Sequence, residues 1–293
     1  MTLKRRKQIW RLVGLYSASA ILLIVLVGPF LWLVNSSFQL ERQLLNVPPL
    51  LFPDPINFDS YIELFRGAFL GEESGVPYQS RIYLRSFGNS FIVALSVAFF
   101  SLILGAYAAY PLARLNFKGK NILLFSILAT RLIPALALAI PIVLVARNLG
   151  MSDRIVSLIF INLSFVLPYI IWLLQSYFKS IPRELEDSGR IDGCSRIQVV
   201  HRIILPLALP GLASAGILAF LMTWGEFLFA LLLTETERSY TSTVVVSMFA
   251  TDVDVNYVTI VAAGVLAVVP PILFALIFQR FIISGLLSGS VKG

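Results

Sequence analysis

Six long apolar runs leave this chain few ways to fold. They cover residues 13–35, 87–112, 122–146, 155–178, 203–233 and 258–283. As helices rising 1.5 Å per residue, each is long enough to cross about 30 Å of hydrocarbon. A soluble core does not need them: 58% of the 293 residues are hydrophobic and only 13% are charged. The short alternating segments of a transmembrane barrel are missing. The pattern predicts an all-α membrane protein with six transmembrane helices. Pro134, Pro141, Pro168, Pro210, Pro270 and Pro271 fall inside the runs, which membrane helices tolerate where neighbouring groups satisfy the freed backbone.

Charge sets the expected orientation. The head, residues 1–12, carries "KRRK" and Arg11, and no small-residue cleavage site follows the first run, so that run is expected to remain as a span. With the head inside, fifteen of the 23 Lys and Arg residues fall on the cytoplasmic side and seven outside, and Arg131 lies within a span. This is the positive-inside bias, and it places both termini, including the tail 284–293, in the cytoplasm. The net charge of +7 is therefore mainly a topology signal, and nothing points to nucleic acid. The single cysteine, Cys194, offers neither a disulfide framework nor a Cys-based metal cluster.

Catalytic signatures are missing as well. The one Gly-Lys pair, Gly119-Lys120, lacks the upstream glycine and the following Ser or Thr of a phosphate-binding loop. The only histidine is His201, and no HExxH, CxxC or GxSxG pattern occurs. The chain is expected to be no enzyme, with no metal site.

Two loops can hold structure. The external segment 36–86 opens with a Pro-rich stretch and continues into a short amphipathic helix capped at Asn57 or Asp59. It reads equally as a lid or as a docking surface. The cytoplasmic loop 179–202 predicts helix, glycine hinge, helix: Pro182 precedes a first turn rich in Glu184, Glu186 and Asp187, Asp192-Gly193 breaks it, and Ser195 to Gln198 has capping-box spacing. Gly189 and Gly193 are poor helix residues, costing about 1 kcal/mol each against Ala. With Ser188 and Cys194 they leave room for another backbone to approach, or simply form a solvated hinge.

Inside the spans, apart from Arg280 at the cytoplasmic end of the last, Arg131 and Glu226 are the charged residues, each costing about 2.5–3.5 kcal/mol at a bilayer centre unless it faces protein or water. Asn89, Asn162, Tyr169, Gln175 and Trp224 add hydrogen-bonding and ring surfaces of the kind that hold a sugar. The tentative substrate pathway is therefore Asn89, Arg131, Asn162, Tyr169, Trp224 and Glu226. A secondary carrier and a membrane scaffold remain alternatives on these residues alone.

The cytoplasmic loop carries a more specific pattern. Asp187-Ser188-Gly189, then Gly193, then Ile203, Leu205 and Pro206 resemble the Glu-Ala-Ala…Gly…Ile-x-Leu-Pro signature of ABC importer permeases, with Asp for Glu and Ser-Gly for Ala-Ala. "RIDG" from Arg190, "NSFIVAL" from Asn89, "YPLARLNFKGK" from Tyr110 and "QRFIISGLLSGSVKG" from Gln279 resemble the MalG-like, carbohydrate-uptake branch. "WGEF" from Trp224 has Gly225 where that branch often has Asn. The resemblance implies a type I ABC importer permease fold in a bacterial or archaeal plasma (inner) membrane. It also implies a MalF-like second permease, an ABC ATPase dimer, an external substrate-binding protein and a sugar substrate. No cofactor is expected on this chain, with ATP and Mg on the ATPase. Residues 184–206 would be the ATPase-coupling loop, through Glu184, Glu186, Asp187, Ser188, Gly189, Arg190, Asp192, Gly193, Ile203, Leu205 and Pro206. The tail from Ser288 to Gly293 is a second candidate contact.

Overall fold

The computed structural model describes residues 3–48, 50–70, 75–250 and 256–290, without the side chains of residues 3–9, 68, 70 and 282–290. Among these residues regular structure is entirely helical. In chain order the α-helices are α1 (Leu3–Ser36), α2 (Glu41–Leu44), α3 (Asp59–Leu70), α4 (Tyr78–Arg114), α5 (Lys120–Ala129), α6 (Ala135–Asn148) and α7 (Ile155–Ser180). They continue as α8 (Glu184–Ile191), α9 (Arg196–Val199), α10 (Leu205–Leu207), α11 (Leu209–Trp224), α12 (Leu228–Leu233), α13 (Ser242–Met248) and α14 (Tyr257–Ser290).

Four helices are long and apolar enough to cross a membrane, or up to six if each of two bent pairs is one span. The bends depart from the simple reading of one straight helix per apolar run. Residues 120–132 and 135–148 meet at 90°, because Pro134 holds Ile133 extended at ψ 121°. Residues 196–207 and 209–224 meet at 77°. There Pro206 and Pro210 each lack the N–H that would close the helical ladder onto the fourth residue back, so two bonds are lost within five residues. A π-helical turn, Val200–Ile204, precedes the bend, and the same run breaks again between Trp224 and Leu228.

The chain forms two compact units, residues 1–81 with 246–267 and residues 82–245 with 268–293. In the first, Gly67 of α3 lies so close to α4 that a methyl group there would come within 2.8 Å of the Ser80 backbone. Ser80 Oγ donates to Glu63 at 2.7 Å, and Thr259 Oγ1 donates to Ser60 Oγ at 3.2 Å. No residue in the apolar window of α1 is buried.

In the second unit α7 is the packing axis. Leu158, Asn162, Val166, Ile170, Leu174 and Phe178 recur every fourth residue and are all buried. Lipid tails are as apolar as these side chains, so helices in a bilayer associate through close packing, and small residues permit it. A methyl on Gly105 of α4 would sit 2.9 Å from Ile170, and one on Gly211 of α11 would sit 2.5 Å from the Tyr177 ring. A second cluster is aromatic. Trp224 stands edge-on to Phe91 at 4.8 Å and stacks on Phe220 at 5.5 Å, and Phe220 in turn stacks on Phe274 at 4.1 Å.

Candidate functional site

The loop between α7 and α11 is built from opposed demands on one short helix. The first turn of α8 holds Glu184, Glu186 and Asp187, where the helix dipole favours negative charge. Glu186 turns inward and pairs with Arg114 of α4, their side chains 10% and 5% exposed. Tyr110, one turn earlier on α4, donates its hydroxyl to Glu186 at 3.1 Å, and Arg114 donates to the Ile181 carbonyl at 2.8 Å. Gly189 also faces inward, and a methyl there would collide with Ile203.

The outer face of α8 is free. Glu184, Asp187, Ser188, Arg190 and Asp192 are exposed, as are Leu185 at 42% and Ile191 at 86%. Gly193 adopts φ +86°, a left-handed conformation that disfavours any residue with a Cβ. The space around it is open, so conformation rather than crowding requires glycine. The two glycines thus have separate causes, one packing and one backbone. Ser195 then caps α9, its N–H donating to Gln198 Oε1 at 2.7 Å while Gln198 N–H donates back to Ser195 Oγ at 3.4 Å. Ile203, within the π-helical turn, and Leu205, just beyond it, are half-buried, and Pro206 is exposed. His201 shares a hydrogen bond of 2.8 Å with Tyr107. The α14 backbone extends to Ser290; residues 291–293 lie outside the described residues, as do the side chains of Ser288 and its neighbours.

The six pathway candidates fall into separate settings. Asn162, Trp224 and Glu226 line one small cavity of about 10 Å³ with Ser90, Thr223 and Thr241, room for no more than a water. Glu226 caps α12, accepting from the N–H groups of Phe229 at 2.7 Å and Ala230 at 3.1 Å. Asn162 donates to Leu158 on its own helix at 2.9 Å. Asn89 is buried and donates to the Tyr240 carbonyl at 2.9 Å. Arg131 is exposed at the 90° bend and donates to the Phe165 carbonyl at 2.6 Å. Tyr169 packs beside Trp172 with ring centroids 5.9 Å apart. Gln175, also buried, donates to Leu112 at 3.4 Å.

The structure adds residues that sequence reasoning did not select. Tyr110 and Arg114 stand four apart, a helical spacing visible inside "YPLAR". Asp153 had no such signal. It sits between α6 and α7 at φ +54°. Its carboxylate accepts from the N–H groups of Glu235 and Thr236, both at 2.9 Å, and from the Thr236 hydroxyl at 2.5 Å. Ser239 also donates to it. Burial disfavours the charged form, but these bonds outweigh it and lower the pKa to about 2. The segment they hold, Glu235 to Tyr240, is braced further by Arg85, 2.9 Å from Glu237.

Residues 101–287 match the family described as binding-protein-dependent transport system inner membrane component. The trehalose transport system permease protein SugB of Mycobacterium tuberculosis is 34% identical over 267 residues, which are 90% of this chain and 92% of that protein. The trehalose/maltose transport system permease protein MalG of Thermococcus litoralis is 29% identical over 98% of this chain and 99% of that one. A chain in the crystal structure of a bacterial ABC transporter that imports the acidic polysaccharide alginate superposes with a TM-score of 0.75. That match covers 96% of this chain and 99% of the other at 21% identity, a likeness of fold.

Proposed function

The chain belongs to the family of binding-protein-dependent transport system inner membrane components, and from that premise we propose that it forms half of the translocation pathway of an ATP-driven sugar importer. Permeases of this family are multi-pass membrane proteins that work with a second permease, an ATPase and an external binding protein, and ATP hydrolysis belongs to the ATPase. The names of the relatives favour a di- or oligosaccharide as cargo, and with it a MalF-like second permease. ATP and Mg would bind on the partner. The positive-inside bias supports cytoplasmic termini in a bacterial or archaeal plasma membrane.

One observation carries the coupling role: α8 is anchored inward through Glu186 and Gly189 while Leu185, Ser188 and Ile191 are exposed on its outer face. A helix so held transmits a push without melting. ATPase closure is the two-state element it would bias. Asp187, Arg190 and Asp192 flank that face, Gly193 ends the helix, and Ile203, Leu205 and Pro206 lead the movement into the bent fifth span.

The pathway reading rests on the broken helices. Irregular backbone at membrane depth is tolerated where it is buried in protein or lines a cavity, and Arg131 and Glu226 stand at two such breaks. Asn162 and Trp224 flank the second, while Asn89 and Tyr169 extend the polar and aromatic surface. An opening of the small Asn162–Glu226 cavity in the transport cycle would expose these groups to a sugar.

The test is Ile191→Asp in the reconstituted importer. Ile191 is 86% exposed, so the change leaves the chain's own packing intact. Membrane insertion and pairing with the second permease should persist, while binding-protein-stimulated ATP hydrolysis and uptake fall by about tenfold or more, as for an anchor at the centre of an interface. Uptake at the wild-type rate sinks the coupling assignment.

A further inference from the structure

Beside α8 lies a polar cavity of about 410 Å³, walled by the end of α4, the turn that follows it, and α8 with α9. At its floor Arg114, Glu186 and Tyr110 are bonded to one another, so their charges are balanced internally. Its remaining ionic lining is Arg183, Arg190, Arg196 and Asp187, three guanidinium groups against one carboxylate. None of the three arginines forms an ion pair among the described residues. Positive charge is concentrated nearby as well. Lys120, at the start of α5, lies within electrostatic reach of Lys179 and Arg183. A concave site lined by unpaired guanidinium forks suits planar carboxylates, which take two parallel hydrogen bonds from each fork.

We propose that this cavity receives a carboxylate-bearing segment of the partner ATPase, so that the coupling contact is an apolar helix face with a cationic socket beside it. The proposal rests on the coupling role of α8 and specifies what its partner must present. The two surfaces are continuous: Arg190 lines the socket, and the next residue, Ile191, is the most exposed apolar side chain of the helix. A protein seated on Leu185 and Ile191 necessarily shades the socket. Covering three unpaired cations without a counter-charge is strongly unfavourable, so a partner that fits the helix must also carry acids for the cavity. Such pairing gives the docking step a salt dependence that the apolar face alone lacks.

The experiment uses the permease pair in nanodiscs with and without anionic phospholipid, and measures ATPase affinity between 100 and 400 mM NaCl. Wild-type affinity is expected to fall with salt by about tenfold. The combined Arg183→Gln, Arg190→Gln and Arg196→Gln variant, scored on discs that retain the second permease, should be about tenfold weaker at low salt and nearly flat with salt. A salt-independent wild-type complex overturns the proposal, whatever the variant does. So does a variant with unchanged affinity and slope, or one whose only loss is a response to anionic lipid, which would assign the cavity to a headgroup. Ile191→Asp separates the two levels: if it leaves association and uptake untouched, the coupling role itself fails, whereas its loss beside an unaffected arginine variant rejects the socket alone.

Discussion

The guanidinium of Arg114 lies against the carboxylate of Glu186 with both side chains shielded from solvent, and this contact ties the end of α4 to a helix that otherwise faces outward. Each partner is further held, Glu186 by Tyr110 and Arg114 by the Ile181 carbonyl. Arg114→Met alone should therefore lower stability by about 3–5 kcal/mol, because it strands a buried carboxylate. The double change Arg114→Met with Glu186→Leu should recover most of that loss, and denaturant or thermal unfolding of the purified permease pair measures both. If the ion pair also transmits movement, the double variant will be stable yet show reduced coupling of ATP hydrolysis to uptake.

Gly211 and Tyr177 make a different kind of contact, one of shape. A methyl at position 211 meets the face of the Tyr177 ring at 2.5 Å, so Gly211→Ala should cost about 1–3 kcal/mol through overpacking. Adding Tyr177→Leu should relieve part of it, a non-additivity that a double-mutant cycle of melting temperatures detects.

The Asp153 knot makes a prediction in pH. Its carboxyl has a pKa of about 2 against an ordinary 3.8. Because the folded value is the lower one, the stabilisation is present above pH 3.8 and is lost as pH falls through about 2. Limited proteolysis of the Glu235–Tyr240 segment should stay slow down to about pH 4 and accelerate below it. In Asp153→Asn the acceleration should be present already at neutral pH, and the acid-dependent step should disappear.

Gly193 tests the separation of the two loop glycines. Asn tolerates left-handed backbone better than Ala does, so Gly193→Asn should be milder than Gly193→Ala, which is expected to cost about 1–2 kcal/mol. At position 189 the order should follow size instead, since there the obstacle is Ile203. ATPase binding by the four variants, normalised to the amount of permease in the membrane, distinguishes the two patterns.

The apolar runs made the helical membrane class legible, because a span must satisfy its backbone internally and must be long. The Ser195–Gln198 capping box and the acidic first turn of α8 were likewise written in local chemistry. The bends were less so: Pro134, Pro206 and Pro210 are visible in the sequence, yet membrane helices often absorb a proline, and only packing decides which ones break. Long-range contacts left no trace. Glu186 looks like any acid of a solvated first turn until α4 brings Arg114 beside it, and Asp153 looks like a turn residue until Thr236 and Ser239 fold over it. The same holds for the pathway candidates Asn89 and Glu226, which in this conformation hold Tyr240 and cap α12.

Of the four tryptophans, Trp10, Trp32 and Trp172 are 66%, 39% and 40% exposed, whereas Trp224 is 5% exposed and lies one residue before the break at Gly225. Its ring is framed by Phe91 and Phe220. A chain in which the other three are replaced by phenylalanine would therefore carry a single tryptophan, at the break, that can be excited selectively over the ten tyrosines. Its emission colour and quenching would report, without any attached label, whether the fifth span opens there when the ATPase closes.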